Sequence, residues 1–194
     1  MKGIKLLAIS VFTTAFLSFT PLPKKIIVID AGHGGNDMGS VRDGIYEKDI
    51  VLKISKEILK LNSAQNKYEI VLTRDQDTDF QLSERTKLIN KMNPEMVISL
   101  HLNSSPHNES VRHGQEIFTQ NTEDSKKLAR LVSQRFNPSE IVGEKNLHIL
   151  RESNAPAVLV ELGFINNTED RKYLISEKGQ KEIAQKFIDV FNEY

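Results

Sequence analysis

Three polar side chains in this sequence follow closely on apolar runs. His33 lies in Asp30-Ala31-Gly32-His33-Gly34-Gly35, directly after the run Lys25 to Asp30; His101 closes Met96 to His101; Glu161 lies near the end of Ala157 to Leu162. A fourth, Glu47, opens an amphipathic segment behind a glycine-containing loop. Two imidazoles and one carboxylate make a familiar catalytic zinc set, in which three protein ligands leave a fourth position for water. Water on such an ion has a pKa of about 7, which supplies hydroxide at neutral pH. A second carboxylate, off the metal, is then needed to take the water's proton and pass it to a leaving amine. His33, Glu47 and His101 can meet the first need and Glu161 the second. The glycines beside His33 let the chain turn sharply and leave space for metal and substrate. Each residue alone also has an ordinary reading, as a hydrogen-bonded strand-end acid or a structural imidazole. The three ligand candidates spread from position 33 to position 101, and no compact H-E-x-x-H motif is present. The residues by themselves therefore reach a metal hydrolase on a sheet and stop there.

The elements that must position these groups follow from periodicity. Lys25 to Asp30 is rich in β-branched residues and predicts a buried strand. From Glu47 to Leu61 the apolar residues Ile50, Val51, Ile54, Ile58 and Leu61 keep helical spacing. Tyr68 to Thr73 predicts a strand, Ser83 to Met92 a helix closed by Asn93-Pro94, and Met96 to His101 another strand. Gln115 to Thr119 reads as a shorter strand, and Thr122 as the cap of a helix reaching Phe136. Ala157 to Leu162 is a strand introduced by Pro156, and from Lys181 onward Ile183, Ala184, Phe187, Ile188 and Phe191 share one helical face. Asn137 to Lys145 reads as a loop, and Leu147 to Arg151 as an additional strand. This alternation predicts a single α/β domain whose mixed, mainly parallel central sheet is flanked by helices on both faces. In such sheets the carboxyl ends of the strands gather at one edge, where sites form; that edge would bring His33, His101 and Glu161 together.

Bulk properties narrow the function classes. The 194 residues fit one domain with a real core. Lys2 and Lys5 precede an uncharged apolar run, Leu6 to Phe19, too short for a comfortable membrane span and suited to an export signal. Residues 1–23 are therefore expected to be a signal peptide or N-terminal anchor, and 24–194 the catalytic domain. Without Lys2 and Lys5, 24 basic residues face 26 acidic ones, so no strong field favours nucleic acid. Cysteine is absent, which excludes thiol catalysis and leaves His, Asp or Glu to hold any metal.

At these residues the sequence resembles the zinc-dependent N-acetylmuramoyl-L-alanine amidases of the amidase 3 family. The matching segments are IVIDAGHGGNDMGS, the Glu47 of YEKDIVL, LTRDQDTDFQLSER, ISLHLNS and APAVLVELGFINNTED, in the family's order and spanning the chain from Lys25. The resemblance implies that one zinc ion binds His33, Glu47 and His101 and that Glu161 is the catalytic carboxylate. It also implies the fold, and a substrate: the amide between the lactyl group of N-acetylmuramic acid and L-alanine of the peptidoglycan stem peptide. The chain departs from many relatives in SLHLNS, where Ala commonly precedes the Asn, and in YEKD, where Arg commonly precedes the Glu; neither change removes a ligand.

Further expectations are finer. Asp30 is a candidate to accept from a ligand imidazole and fix its tautomer, Asn103 a candidate substrate contact, and Arg85 a candidate loop brace or acid partner. His107 and His113 read as solvent-exposed, His148 as a half-buried structural imidazole. Peptidoglycan is the expected partner and nucleic acid is not; an unidentified activator protein is left open, and a monomer is expected. Export to the periplasm or cell wall is expected, with a permanent N-terminal tether as the alternative. The rival functions are a zinc peptidase acting elsewhere in the stem peptide and a catalytically inactive wall-binding regulator.

Overall fold

The computed structural model describes residues 23–136, 139–144 and 146–194. The expected signal segment falls, except for Pro23, outside the described residues. Among the described residues no helix is long and apolar enough to cross a membrane.

The strands are β1 (Ile26–Ala31), β2 (Val41–Arg42), β3 (Ile45–Tyr46), β4 (Glu69–Leu72), β5 (Met96–Asn103), β6 (Gln115–Thr119), β7 (Ser139–Glu144) and β8 (Ala157–Phe164). The helices are α1 (Glu47–Gln65), α2 (Leu82–Met92), α3 (Glu123–Arg135), α4 (His148–Glu152), α5 (Thr168–Ile175) and α6 (Glu177–Glu193). Six strands form one sheet in the order β4-β1-β5-β8-β6-β7. All pairings in it are parallel except β6 with β8. This is the mixed, mainly parallel α/β domain that strand–helix alternation predicts.

Alternation along the strands sorts side chains to two faces. Ile27, Ile29, Ile98, Leu100, Val158 and Val160 pack with residues of α1, α3, α5 and α6, such as Ile54, Leu128, Leu174 and Phe187. Val28, Val97, Ala157 and Leu159 face the other way, against Ile89 of α2 and Ile149 and Leu150 of α4. Burying a Leu, Ile or Phe side chain contributes roughly 1.5–3 kcal/mol, so these two layers hold the sheet's position firmly. The second face also carries the polar row. Asp30 pairs with Ser99, His101 pairs with Glu161, and Glu161 pairs with Glu116 across the antiparallel join.

Two segments differ from expectation. Residues 139–144 form β7, an edge strand, where a loop is expected. The segment SEIVGE leaves Ile141 and Val142 half-exposed and contains Gly143 at φ 94, so its apolar signal is weak. Leu147 to Arg151, expected as a strand, turns into the helix α4. Five residues carry too little periodicity to separate the two; docking of Ile149 and Leu150 against Ile89 decides it. Two further elements, the β2–β3 hairpin and α5, have no counterpart in the sequence expectation. The hairpin turns at Asp43-Gly44, both at positive φ, a pair suited to a two-residue turn.

Candidate metal centre

Glu47 is the first residue of α1, and its carboxylate is 2% exposed, whereas the His33 and His101 side chains are 23% and 20% exposed. The acid therefore forms the floor of the centre and the imidazoles its open side. No side chain caps α1; instead the Glu47 and Lys48 amides donate to the carbonyls of Ser40 and Met38. The hairpin and the loop before it thus fix where the helix starts. Glu47 Oε2 accepts from the Ser40 amide (2.7 Å) and Oε1 from the Leu102 amide (2.9 Å). His33 Nε2 and His101 Nδ1 each lie 3.0 Å from Glu47 Oε1, and 3.1 Å from one another. One ligand atom from each of the three lies within 4.8 Å of the others.

Glycines make that convergence possible. A Cβ at Gly32 would lie 2.4 Å from the His101 ring, and one at Gly39 2.6 Å from Glu47 Oε2. His33 has φ 58, a left-handed conformation unusual for a residue with a side chain. Two buried guanidiniums hold it there. Arg74 donates to the carbonyls of Ala31 and Gly32, and Arg85 to those of Ala31 and His33. Residues 77–79 lock the same turn from outside: Asp77 accepts from the Gly35 amide and from Lys48 Nζ, and Asp79 from the Asn36 amide.

The electrostatics follow from this packing. Burial alone would lower the His33 pKa, but the hydrogen bond and charge of Glu47, then those of Asp37, outweigh it and hold it up at about 9. Burial would raise Glu47, yet hydrogen bonds from His101 and His33 hold its carboxyl well below the usual range. Glu47 is thus ionised at any physiological pH, and the proton on His33 is what a divalent cation would displace. Two imidazole nitrogens and one carboxylate oxygen, with glycines clearing the space between them, fit an open three-ligand zinc set.

Glu161 stands beside this cluster through sheet register, as the β8 partner of His101. Asn103, the expected substrate contact, donates to Glu116 Oε2 (2.7 Å), while its own oxygen accepts from the Ser104 amide. Asp30 is corrected as the imidazole partner. Its oxygens accept from Thr73 and Ser99 hydroxyls and from Arg85, at 2.7–2.8 Å. The carboxylate 2.8 Å from His33 Nδ1 is Asp37. The signal available for it was local: an acid four residues beyond the histidine, in a glycine-rich turn, can fold back onto it. A cleft of about 420 Å³ opens beside the imidazoles, walled by Phe80, Leu82, Leu147, Ile149 and Leu159, with His148 on its rim.

Comparisons with known proteins bear on the family and the fold. A family model described as N-acetylmuramoyl-L-alanine amidase, the amidase 3 model, matches residues 27–192. The endolysin of Bacillus phage SPP1 is 32% identical over 169 residues; the match covers 83% of this chain and 62% of the endolysin, so this chain spans under two thirds of that relative. Among solved structures, an N-acetylmuramoyl-L-alanine amidase from Clostridium difficile 630 superposes with a TM-score of 0.82 at 32% identity, covering 88% of this chain and 96% of that one. The catalytic domain of CwlV, an N-acetylmuramoyl-L-alanine amidase from Bacillus (Paenibacillus) polymyxa var. colistinus, gives 0.80 at 33% identity, covering 88% and 97%.

Proposed function

This chain belongs to the amidase 3 family of N-acetylmuramoyl-L-alanine amidases, and from that premise we propose that it hydrolyses the amide between the lactyl group of N-acetylmuramic acid and the first L-alanine of a peptidoglycan stem peptide. In this reading His33, Glu47 and His101 hold one zinc ion and Glu161 transfers the proton. The observation that carries it is the meeting of those three ligand atoms within 4.8 Å, beside a carboxylate in register with His101. Zinc, when bound, would polarise the scissile carbonyl, lower the pKa of water and offset the negative charge that develops on oxygen.

The chain's own residues do the rest. Glu161 takes a proton as water oxygen bonds to the lactyl carbonyl carbon. It then delivers that proton to the L-alanine nitrogen as the C–N bond breaks, leaving a lactyl carboxylic acid and a free amine; transfer of the acid's remaining proton gives the carboxylate and the ammonium group. Glu47, ionised and anchored by two backbone amides, supplies a ligand that does not need to be deprotonated first. The apolar wall of Phe80, Leu82 and Ile149 gives one flank of the substrate a surface shielded from water. The enzyme acts as a monomer on peptidoglycan outside the cytoplasmic membrane, exported by its N-terminal segment.

Digestion of purified sacculi by the full chain, with and without zinc, tests the reading. The expected result is zinc-dependent release of intact stem peptides with N-terminal L-alanine. New amino termini at other stem residues would replace this reading with a peptidase, and no release by the zinc-loaded protein would remove it.

A further inference from the structure

Resting on the reading of His33, Glu47 and His101 as the ligand set, we infer that Asp37 is a positioning residue that sets the metal affinity of the centre by holding two of the three ligands through one turn. His33 Nδ1 lies 2.8 Å from Asp37 Oδ2. A carboxylate in that position accepts, so Nδ1 carries a hydrogen and Nε2 is the nitrogen left to bind a metal once its own proton is displaced. Nε2 is the nitrogen that points at Glu47 Oε1 and His101 Nδ1.

The second oxygen of Asp37 acts on the other ligand. Oδ1 accepts from the Gly39 amide at 3.1 Å. The next amide along the chain, that of Ser40, donates to Glu47 Oε2 at 2.7 Å. Gly34 and Asp37 exchange backbone bonds of 2.9 and 3.1 Å, which close the turn between them. The path therefore runs from one carboxylate to the His33 ring on one side and, through Gly39 and Ser40, to the Glu47 carboxylate on the other. A Cβ at Gly39 would lie 2.7 Å from the His33 ring and 2.6 Å from Glu47 Oε2, so this turn passes between the two ligands more closely than a residue with a side chain could.

Asp37 is well placed to be tested, because its side chain is 66% exposed and contributes little to the core. Among the described residues, no other carboxylate is bonded to His33 Nδ1, and the nearby buried acid, Asp30, is bound to Thr73, Ser99 and Arg85. Partners of this kind behind a ligating imidazole change metal affinity by about 10–100-fold when lost.

The experiment compares the full chain with Asp37→Ala and Asp37→Asn. Zinc affinity is measured by competition with a chelating dye, ligand geometry by the visible absorption of the cobalt-loaded forms, and folding by thermal unfolding of the metal-free forms. Asp37→Ala should bind zinc about 10–100-fold more weakly and shift the cobalt spectrum, with an unchanged metal-free unfolding midpoint. Asp37→Asn keeps an acceptor but loses the charge, and should fall between Asp37→Ala and the parent; it carries the comparison alone if the alanine variant fails to fold. Zinc affinity within twofold of a parent that binds and cleaves would overturn the inference and leave the proposed function standing. A parent that binds no zinc would overturn both.

Discussion

The two halves of the centre are built by different means. On the β1 side, His33 sits at positive φ in a turn that side-chain-to-backbone bonds hold in addition to the Gly34–Asp37 backbone pair. Arg74 and Arg85, both nearly fully buried, donate to three consecutive carbonyls, and Asp77 and Asp79 accept amides of the residues that follow. On the β8 side, Glu161 stands in the backbone ladder between His101 of β5 and Glu116 of β6. A ladder fixes position whatever the side chain is, whereas a turn against its backbone preference needs specific partners to keep it there. Loss of a buried arginine should therefore cost structure on the first side, whereas Glu161→Gln should act mainly on the chemistry.

The largest effect that would break this contrast is at Arg85. Arg85→Ala removes bonds to Ala31 and His33 and leaves the buried Asp30 carboxylate without its cation. Breaking a buried pair of this kind costs about 3–5 kcal/mol, and zinc binding should be lost with it; urea unfolding and elemental analysis measure the two. Full stability in that variant would mean the turn stands without its clamp. Next comes Glu161→Gln, expected to unfold at the parent's temperature, to retain zinc, and to lose activity by roughly 10²-fold or more. Parallel loss of zinc or stability would show that Glu161 is also structural. Smaller is the isosteric Thr73→Val, which deletes the 2.7 Å bond to Asp30 and should cost about 1–3 kcal/mol in urea unfolding, while Ser99→Ala probes the other oxygen of the same acid.

The smallest effect is a pH dependence on the clamped side. Burial would raise the Asp30 pKa, but the charge and hydrogen bond of Arg85 lower it below its ordinary value. A depressed folded-state pKa contributes stability that is fully present above the unfolded value of about 3.9 and is lost as pH falls through the folded one. The stability gap between metal-free parent and Asp30→Asn should thus be widest near neutrality and narrow in acid. A gap that stays constant down to pH 2 would remove Arg85–Asp30 from the account of the clamp.

The two halves are unequally legible in the sequence. Glu161 and His101 lie near the ends of strands whose apolar runs are unmistakable, so their approach to one edge follows from counting residues. The His33 side was legible only as a histidine among glycines. The brace role considered for Arg85 reads directly from its bonds, but Asp30 was credited with the contact that Asp37 makes. An acid inside a turn can reach several groups, and only the path of the turn selects among them.

What the sequence by itself determined is the set of strands and long helices, because apolar spacing repeats over enough residues to be unambiguous, and with them the edge where chemistry could occur. What tertiary structure decided is everything set by contacts between distant segments. These include the strand pairing of 139–144, the helical turn at 148–152, the arginines beneath His33, and the choice of Asp37 over Asp30. Those depend on distances through space between groups tens of residues apart, and local periodicity carries no record of them.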